Sequence, residues 1–266
     1  MVFINELVSA IILAVIQGAI EWFPVSSSGH LVIFEKILGY SGGLVFEVAL
    51  HFGTLMAVFV YFGKDITEII KDLLSLRLNT EHGKMGLLLI VATIPAAVVG
   101  FLVIKLFETV FASLSIIAIG WGITGLFLFL ASLDFNKKNK IDNIKKLKYS
   151  NAFLIGMAQM VAIVPGISRS GATIGSGVLF GLSEKAAMKF SYILSIPVIL
   201  GANILAIGNQ RLPTELIWAT LVSFAFGLVF IHVAFNYVLI KKKNFRWFAA
   251  YCLLLALGTG AWVIFG

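Results

Sequence analysis

The chain has 266 residues, 60% of them hydrophobic and 12% charged, about half the roughly 25% charged share of a soluble domain. This composition excludes a water-soluble surface and argues against nucleic-acid binding, and a mean hydropathy of +1.02 over the whole chain points to a polytopic membrane protein. The net charge of +7 reads as topology rather than as an acidic partner, because the 20 Lys and Arg fall mostly between apolar runs.

In chain order, residues 7–40 are apolar but broken at Pro24 into short halves, with a Ser and Gly cluster after the break. Glu6 stands near the start and no Lys or Arg precedes Lys36, so the basic leader of a cleavable signal is missing and the first segment is expected to stay. Crossing a bilayer takes about 20 apolar residues at 1.5 Å each. Such spans follow at 44–63, 85–107 and 111–133. Residues 150–184 repeat the first pattern, broken at Pro165, and further spans run over 186–207, 215–240 and 247–265. Short, interrupted apolar segments in matching places read as re-entrant helical hairpins facing a polar cavity, since lipid would leave their freed backbone groups unpaired.

Basic residues test that reading. With the loop carrying Lys64, Lys71, Arg77 and Lys84 in the cytoplasm, Lys137, Lys138, Lys140, Lys145, Lys146, Lys148, Lys185, Lys189, Lys241, Lys242, Lys243 and Arg246 also fall inside. Little beyond Lys36, Lys105 and Arg211 stays outside. The count works only if residues 150–184 enter and leave on the cytoplasmic side and residues 1–40 on the outer side, so the hairpins face each other. Pro24, Val25, Ser27, Ser28 and Gly29 echo Pro165, Gly166, Ser168, Ser170 and Gly171 about 142 positions later, and Phe46 and Leu50 echo Phe190 and Leu194. The expected fold is one all-α polytopic membrane domain: six transmembrane helices plus two opposed re-entrant hairpins in an inverted-topology repeat, 1–134 and 150–266, with the site where the hairpin tips meet.

The single Cys252 excludes an intramolecular disulfide and a soft-metal cluster, so any metal sits on oxygen ligands. Gln17 and Glu21 are one helical turn apart just before the first break. An acidic group at a membrane helix centre costs about 2.5 to 3.5 kcal/mol, so Glu21 reads as functional; an interfacial, wetted Glu is the alternative. Next come Ser26, Ser27, Ser28 and His30. Helical spacing puts Ser27 and His30 on one side, as nucleophile and base or as two ligands of one phosphate, unless the run is a Ser-rich cap with a solvated His. In the second hairpin Arg169 lies between Ser168 and Ser170 at a helix start, with Thr173 one turn on, a guanidinium fork, hydroxyls and dipole end suited to one anion. A lipid-snorkelling Arg is the competing reading. Glu47 and His51 share a helix face, either orienting the first group or fixing packing. His82 and His232 read as structural, and Gln159 and Asn203 as interhelical glue.

Two blocks, Gln17, Gly18, Glu21, Pro24, Ser26, Ser27, Ser28, Gly29, His30 and then Pro165, Gly166, Ser168, Arg169, Ser170, Gly171, Ala172, Thr173, resemble the signature motifs of the undecaprenyl-diphosphatase family, also called bacitracin-resistance proteins. The likeness spans nearly the whole chain, with Phe46, Glu47, Phe190, Ser191 and Pro197 included. It implies a membrane phosphatase that removes the terminal phosphate of C55 isoprenyl diphosphate, recycling the carrier for cell-wall glycans, and uses a divalent cation, Mg²⁺ or Ca²⁺. It also implies roles: Glu21 on metal and pyrophosphate, Ser27 as nucleophile or phosphate ligand, His30 as its base or a phosphate contact, Ser26 and Ser28 as phosphate ligands, and Arg169 with Ser168, Ser170 and Thr173 as the phosphate clamp. The family often has Glu where this chain has Gln17, so a two-carboxylate metal site is not expected here, and Gln17 is either a metal ligand beside Glu21 or only a hydrogen-bonding group.

The expected partners are a polyprenyl diphosphate lipid and the bilayer of the cytoplasmic membrane, with the site opening to the outer side; a homodimer is left open. A polyprenyl-phosphate flippase of inverted-repeat type is the alternative, because fold alone does not separate it from an enzyme. Acid-phosphatase-like lipid phosphatases share a Ser-Gly-His fragment, but their Lys and Arg-Pro motif and second catalytic His are not present.

Overall fold

The computed structural model describes residues 6–103, 113–133, 140–207 and 214–265. Lys105, Lys137, Lys138 and Arg211 of the charge count lie outside the described residues. The described residues form helices α1 (Glu6–Ile20), α2 (Ser27–Leu38), α3 (Gly43–Tyr61), α4 (Gly63–Leu74), α5 (Glu81–Val103), α6 (Leu114–Ser132), α7 (Tyr149–Val161), α8 (Arg169–Leu179), α9 (Glu184–Ile207), α10 (Thr214–Val233) and α11 (Phe245–Phe265). Among the described residues no strand forms beyond a lone bridge between Ile141 and Leu182. Among the described residues six helices are long and apolar enough to cross a membrane: α3, α5, α6, α9, α10 and α11.

The two broken regions are pairs of short helices, α1 with α2 and α7 with α8. Their lengths of 15, 12, 13 and 11 residues reach at most about 23 Å, short of a ~30 Å hydrocarbon core. The prolines set where the first helix of each pair stops. A proline ring collides with the carbonyl four residues back and turns its predecessor away from α geometry; α1 ends at Ile20, four before Pro24, and α7 at Val161, four before Pro165. Each second helix restarts on a serine cap: Ser26 Oγ accepts from Gly29 N at 3.4 Å, and Ser168 Oγ from Gly171 N at 3.0 Å.

One expectation needs correction. The basic stretch after α3, read as a loop, begins with α4, separated from α3 by Phe62 alone. Ile66, Ile69, Ile70 and Leu73 recur at helical spacing, with Ile66 and Ile69 buried and Ile70 and Leu74 exposed. Twelve residues are too few to read as a span, so hydropathy alone missed it.

The long helices pack in pairs, α3 on α10 and α6 on α11, while α1 lies on α10 and α7 on α5. Close approach is set by glycine: a Cβ on Gly18 would sit 2.7 Å from Ser223 O, and one on Gly156 would run into Ala92 O. Large side chains such as Val98, Phe101, Val229, Leu254 and Leu257 stay exposed, as a lipid-facing surface requires. Inside, Trp22, Trp121, Tyr192 and Phe190 are fully buried around the two breaks.

Candidate active site

An unwound stretch between short helices frees backbone carbonyls that a buried site cannot leave unpaired. Side chains from distant helices meet them. Tyr192 Oη donates to Trp22 O at 2.9 Å, Ser170 Oγ to Phe23 O at 2.9 Å, and Trp121 Nε1 to Val25 O at 2.8 Å. In the second break Thr124 Oγ1 donates to Gly166 O at 3.2 Å and accepts from Ser168 N at 3.0 Å. Trp121 and Thr124 are one turn apart on α6, so a single helix clamps both breaks. The Ser170 bond joins the breaks directly. Gly166, at φ +86°, takes a left-handed turn beside α6 that a Cβ would block against Ile117 O.

Both breaks repeat one local pattern. Ser26 and Ser28 hydroxyls lie 3.2 Å apart, as do those of Ser168 and Ser170. The residue between each pair, Ser27 or Arg169, is the first of its helix. Both reach the same carboxylate: Ser27 Oγ donates to Glu21 Oε2 at 2.6 Å, and Arg169 Nη2 to Glu21 Oε1 at 2.5 Å. Gln17 Nε2 adds a bond to Oε2 at 2.9 Å, and His51 Nε2 stands 3.5 Å from that oxygen. Two helix N-termini and a guanidinium thus converge on one buried anion. Ser26 pays a conformational cost for this, at φ 64° and ψ 94°, a strained geometry that tends to gather at functional sites.

A cavity of about 520 Å³ opens on this centre. Its polar lining includes Glu21, Ser26, Ser27, Ser28, Glu47, His51, Ser168, Arg169 and Ser170 at one side and Thr93, Gln159 and Asn203 besides; its apolar lining includes Ala96, Gly100, Phe101, Ile163, Val198 and Ile204. Phe101 and Ile204, near the ends of α5 and α9, are also strongly exposed, so the apolar part reaches the lipid-facing surface.

A family model described as bacitracin resistance protein BacA matches residues 10–258. The chain belongs to the BacA family. An undecaprenyl-diphosphatase of Thermosipho melanesiensis is 39% identical over 93% of this chain and 96% of its own length. One of Caldicellulosiruptor bescii is 40% identical over 93% and 94%, and one of Christiangramia forsetii 38% over 96% and 97%.

In this BacA chain Glu21, Ser27, Arg169 and Gln17 come together as one bonded group, while two expected members turn away. His30 Nδ1 donates to Ser26 O at 2.7 Å and Nε2 meets Tyr251 Oη at 2.8 Å, with the ring stacked on Tyr251. Both nitrogens are committed, and among the described residues it is His51 that lines the cavity. The Ser27–His30 pairing expected from spacing is therefore not formed: the His30 ring folds back one turn onto the strained Ser26 carbonyl. Thr173 is also turned from the cavity, its hydroxyl on Arg169 O at 2.8 Å and against Ser191 Oγ at 2.6 Å. Asn203 Nδ2 bonds Ile199 O of its own helix, and among the described residues neither polar atom of Gln159 has a hydrogen-bond partner; both line the cavity rather than joining helices. His51 Nδ1 bonds the Glu47 backbone oxygen rather than its carboxylate.

His30→Ala is expected to destabilise the protein by roughly 1 kcal/mol, because it removes the short bond to the Ser26 carbonyl and leaves only the 3.4 Å bond from the backbone N–H of residue 30. Thermal midpoints in detergent check this: His30→Ala should fall clearly below wild type and Tyr251→Phe much less. An unchanged His30→Ala midpoint would exclude the capping role.

For a divalent cation the donor chemistry fits. Glu21, Glu47, the serine hydroxyls and the buried Gln17 Oε1, which has no hydrogen-bond partner, are all hard oxygen donors. Among the described residues no three His, Cys, Asp or Glu side chains form a group that could hold a metal ion by themselves.

Proposed function

We propose that this chain hydrolyses undecaprenyl diphosphate to undecaprenyl phosphate and inorganic phosphate, recycling the carrier lipid for cell-wall glycans and so conferring bacitracin resistance. The observation that carries the reading is the convergence of Arg169, Ser27 and two helix N-termini on one anion position at the polar side of a cavity that is otherwise mostly apolar. A diphosphate head needs fixed positive ends where charge develops, and a prenyl tail needs the apolar wall. The family and the names of its relatives agree with hydrolysis.

Arg169 grips the terminal phosphate with help from Ser26, Ser28, Ser168 and Ser170, while Thr173 holds the start of α8. Ser27 attacks the terminal phosphorus as its proton passes to Glu21, and the anhydride P–O bond breaks toward the lipid monophosphate. Water then releases phosphate from Ser27. A divalent cation, Mg²⁺ or Ca²⁺, would be held by Glu21 with Gln17 or Glu47 beside it and would supply charge neutralisation of the diphosphate. His30 acts by holding the turn that carries Ser27.

The site lies between opposed re-entrant hairpins of an inverted repeat in the cytoplasmic membrane and opens to the outer side. Packing supports the repeat: α1 lies on α10 as α7 lies on α5, and the two Ser-X-Ser-Gly helix starts match. The apolar lining near the ends of α5 and α9 supports an outer opening, because the basic residues put the starts of both helices inside. In a Cys252→Ser background, Ser41→Cys should be labelled only from outside and Lys243→Cys only from the cytoplasm; labelling from one side for both would remove the inverted topology.

The deciding assay is phosphate release by purified protein in detergent from C15 and C55 diphosphates, with and without chelator. The phosphatase releases phosphate and loses activity in chelator. A flippase without chemistry releases none.

A further inference from the structure

We infer that Glu21 competes with phosphate for Arg169: in the free protein its carboxylate fills the anion seat, and a phosphate must displace it to bind. This deepens the phosphatase reading and rests on it. The side chain occupies what a phosphate oxygen would want. Oε1 takes the Arg169 guanidinium, Oε2 takes the Ser27 hydroxyl at the start of α2, and Gln17 completes the contacts. Glu21 is buried, Arg169 is 15% exposed, and no other Asp or Glu is paired with this arginine among the described residues.

The physical consequence concerns affinity. An ion pair in a poorly solvated pocket holds its partner far more strongly than one in water, and any incoming anion must break it. Tight binding of the free product phosphate is thereby prevented. A diphosphate compensates because it brings more acceptor oxygens, and it takes Arg169 from Glu21 Oε1 while Oε2 keeps the Ser27 hydroxyl whose proton it accepts. The same displacement that admits substrate thus arms the nucleophile. Glu21 is here a group that sets ligand affinity as well as one that touches the reacting atoms.

The test measures binding without turnover. Purified wild-type protein and Glu21→Gln are titrated in detergent, in chelator, with inorganic phosphate and with farnesyl diphosphate, and binding is read by calorimetry. Glu21→Gln should bind both about tenfold tighter or more, by a similar factor, because the same charge-assisted contact no longer has to be displaced. A gain of affinity is not the result a misfolded variant produces. Glu21→Asp, one methylene shorter, provides a second check and should gain part of that factor. In an Arg169→Ala background the Glu21→Gln gain should vanish. Equal or weaker binding by both Glu21 variants overturns the inference, and so does a gain that persists without Arg169, since that is simple repulsion of anions by Glu21. Failure of the phosphatase reading is seen separately, as no phosphate release by wild type with cation present.

Discussion

Arg169→Lys is expected to lose about nine-tenths or more of kcat on a polyprenyl diphosphate although the positive charge is kept. The guanidinium reaches two groups at once, Glu21 Oε1 through Nη2 and Ser191 O through Nη1 at 3.4 Å. That fork sits at the first residue of α8, where the helix dipole and the capped serines share its target. An ammonium is a point charge and makes no planar two-point contact. Losing one charge-assisted bond costs at least about 1.5 kcal/mol, over tenfold in rate. Wild-type and variant kcat, compared together with thermal midpoints, check the result: a rate loss with an unchanged midpoint locates the effect in the site. Retention of more than about half of wild-type kcat would count against the clamp.

The spans were legible because membrane thickness sets a length that a hydropathy pattern can be counted against. Most observed spans start and end within a few residues of the expected range, as with Gly43–Tyr61 against 44–63 and Glu184–Ile207 against 186–207, although α10 leaves α geometry at Val233 against an expected end at 240. The breaks were legible for a local steric reason, a proline acting on the carbonyl four residues earlier. Glu21 and Arg169 stood out because charge in an apolar segment is costly and so is rarely left without a task. That they bond each other was not legible, since 148 residues separate them.

The same limit hid the backbone clamps. Tyr192, Trp121, Thr124 and Tyr251 look like ordinary residues of apolar spans, and each acts on a group 42 to 221 positions away. Their signal in the sequence is only a polar atom in an apolar helix, which interior packing also uses. His30 failed differently. Its spacing from Ser27 does put both on one side of α2, but spacing does not tell a ring that points forward from one that bends back to the carbonyl four residues before it. The strained Ser26 makes that carbonyl available, and no pattern of residue types announces a positive φ at a serine. His51, thirty residues after Glu21 and noted only for sharing a face with Glu47, is the histidine that meets the cavity among the described residues.

Ser27→Ala is expected to abolish turnover, and quenched wild-type protein should carry labelled phosphate on Ser27 when the terminal phosphate of the substrate is labelled. The hydroxyl already donates to Glu21 Oε2 at 2.6 Å, so the acceptor for its proton is in place before substrate arrives. It is the first residue of α2, where the helix N-terminus steadies the negative charge that builds on the attacked phosphate. Attack by water gives a different outcome. Ser27→Ala would then remove only a hydrogen bond to a charged group, roughly 1 to 3 kcal/mol, leaving measurable turnover and no phosphoenzyme. His30→Ala separates the routes further. With both His30 nitrogens committed to Ser26 and Tyr251, its loss should slow the reaction through a loosened Ser27 turn, while phosphate still reaches Ser27 in the quenched variant. Complete absence of the phosphoenzyme in His30→Ala, with the midpoint unchanged, would return the role of base to His30 and take it from Glu21.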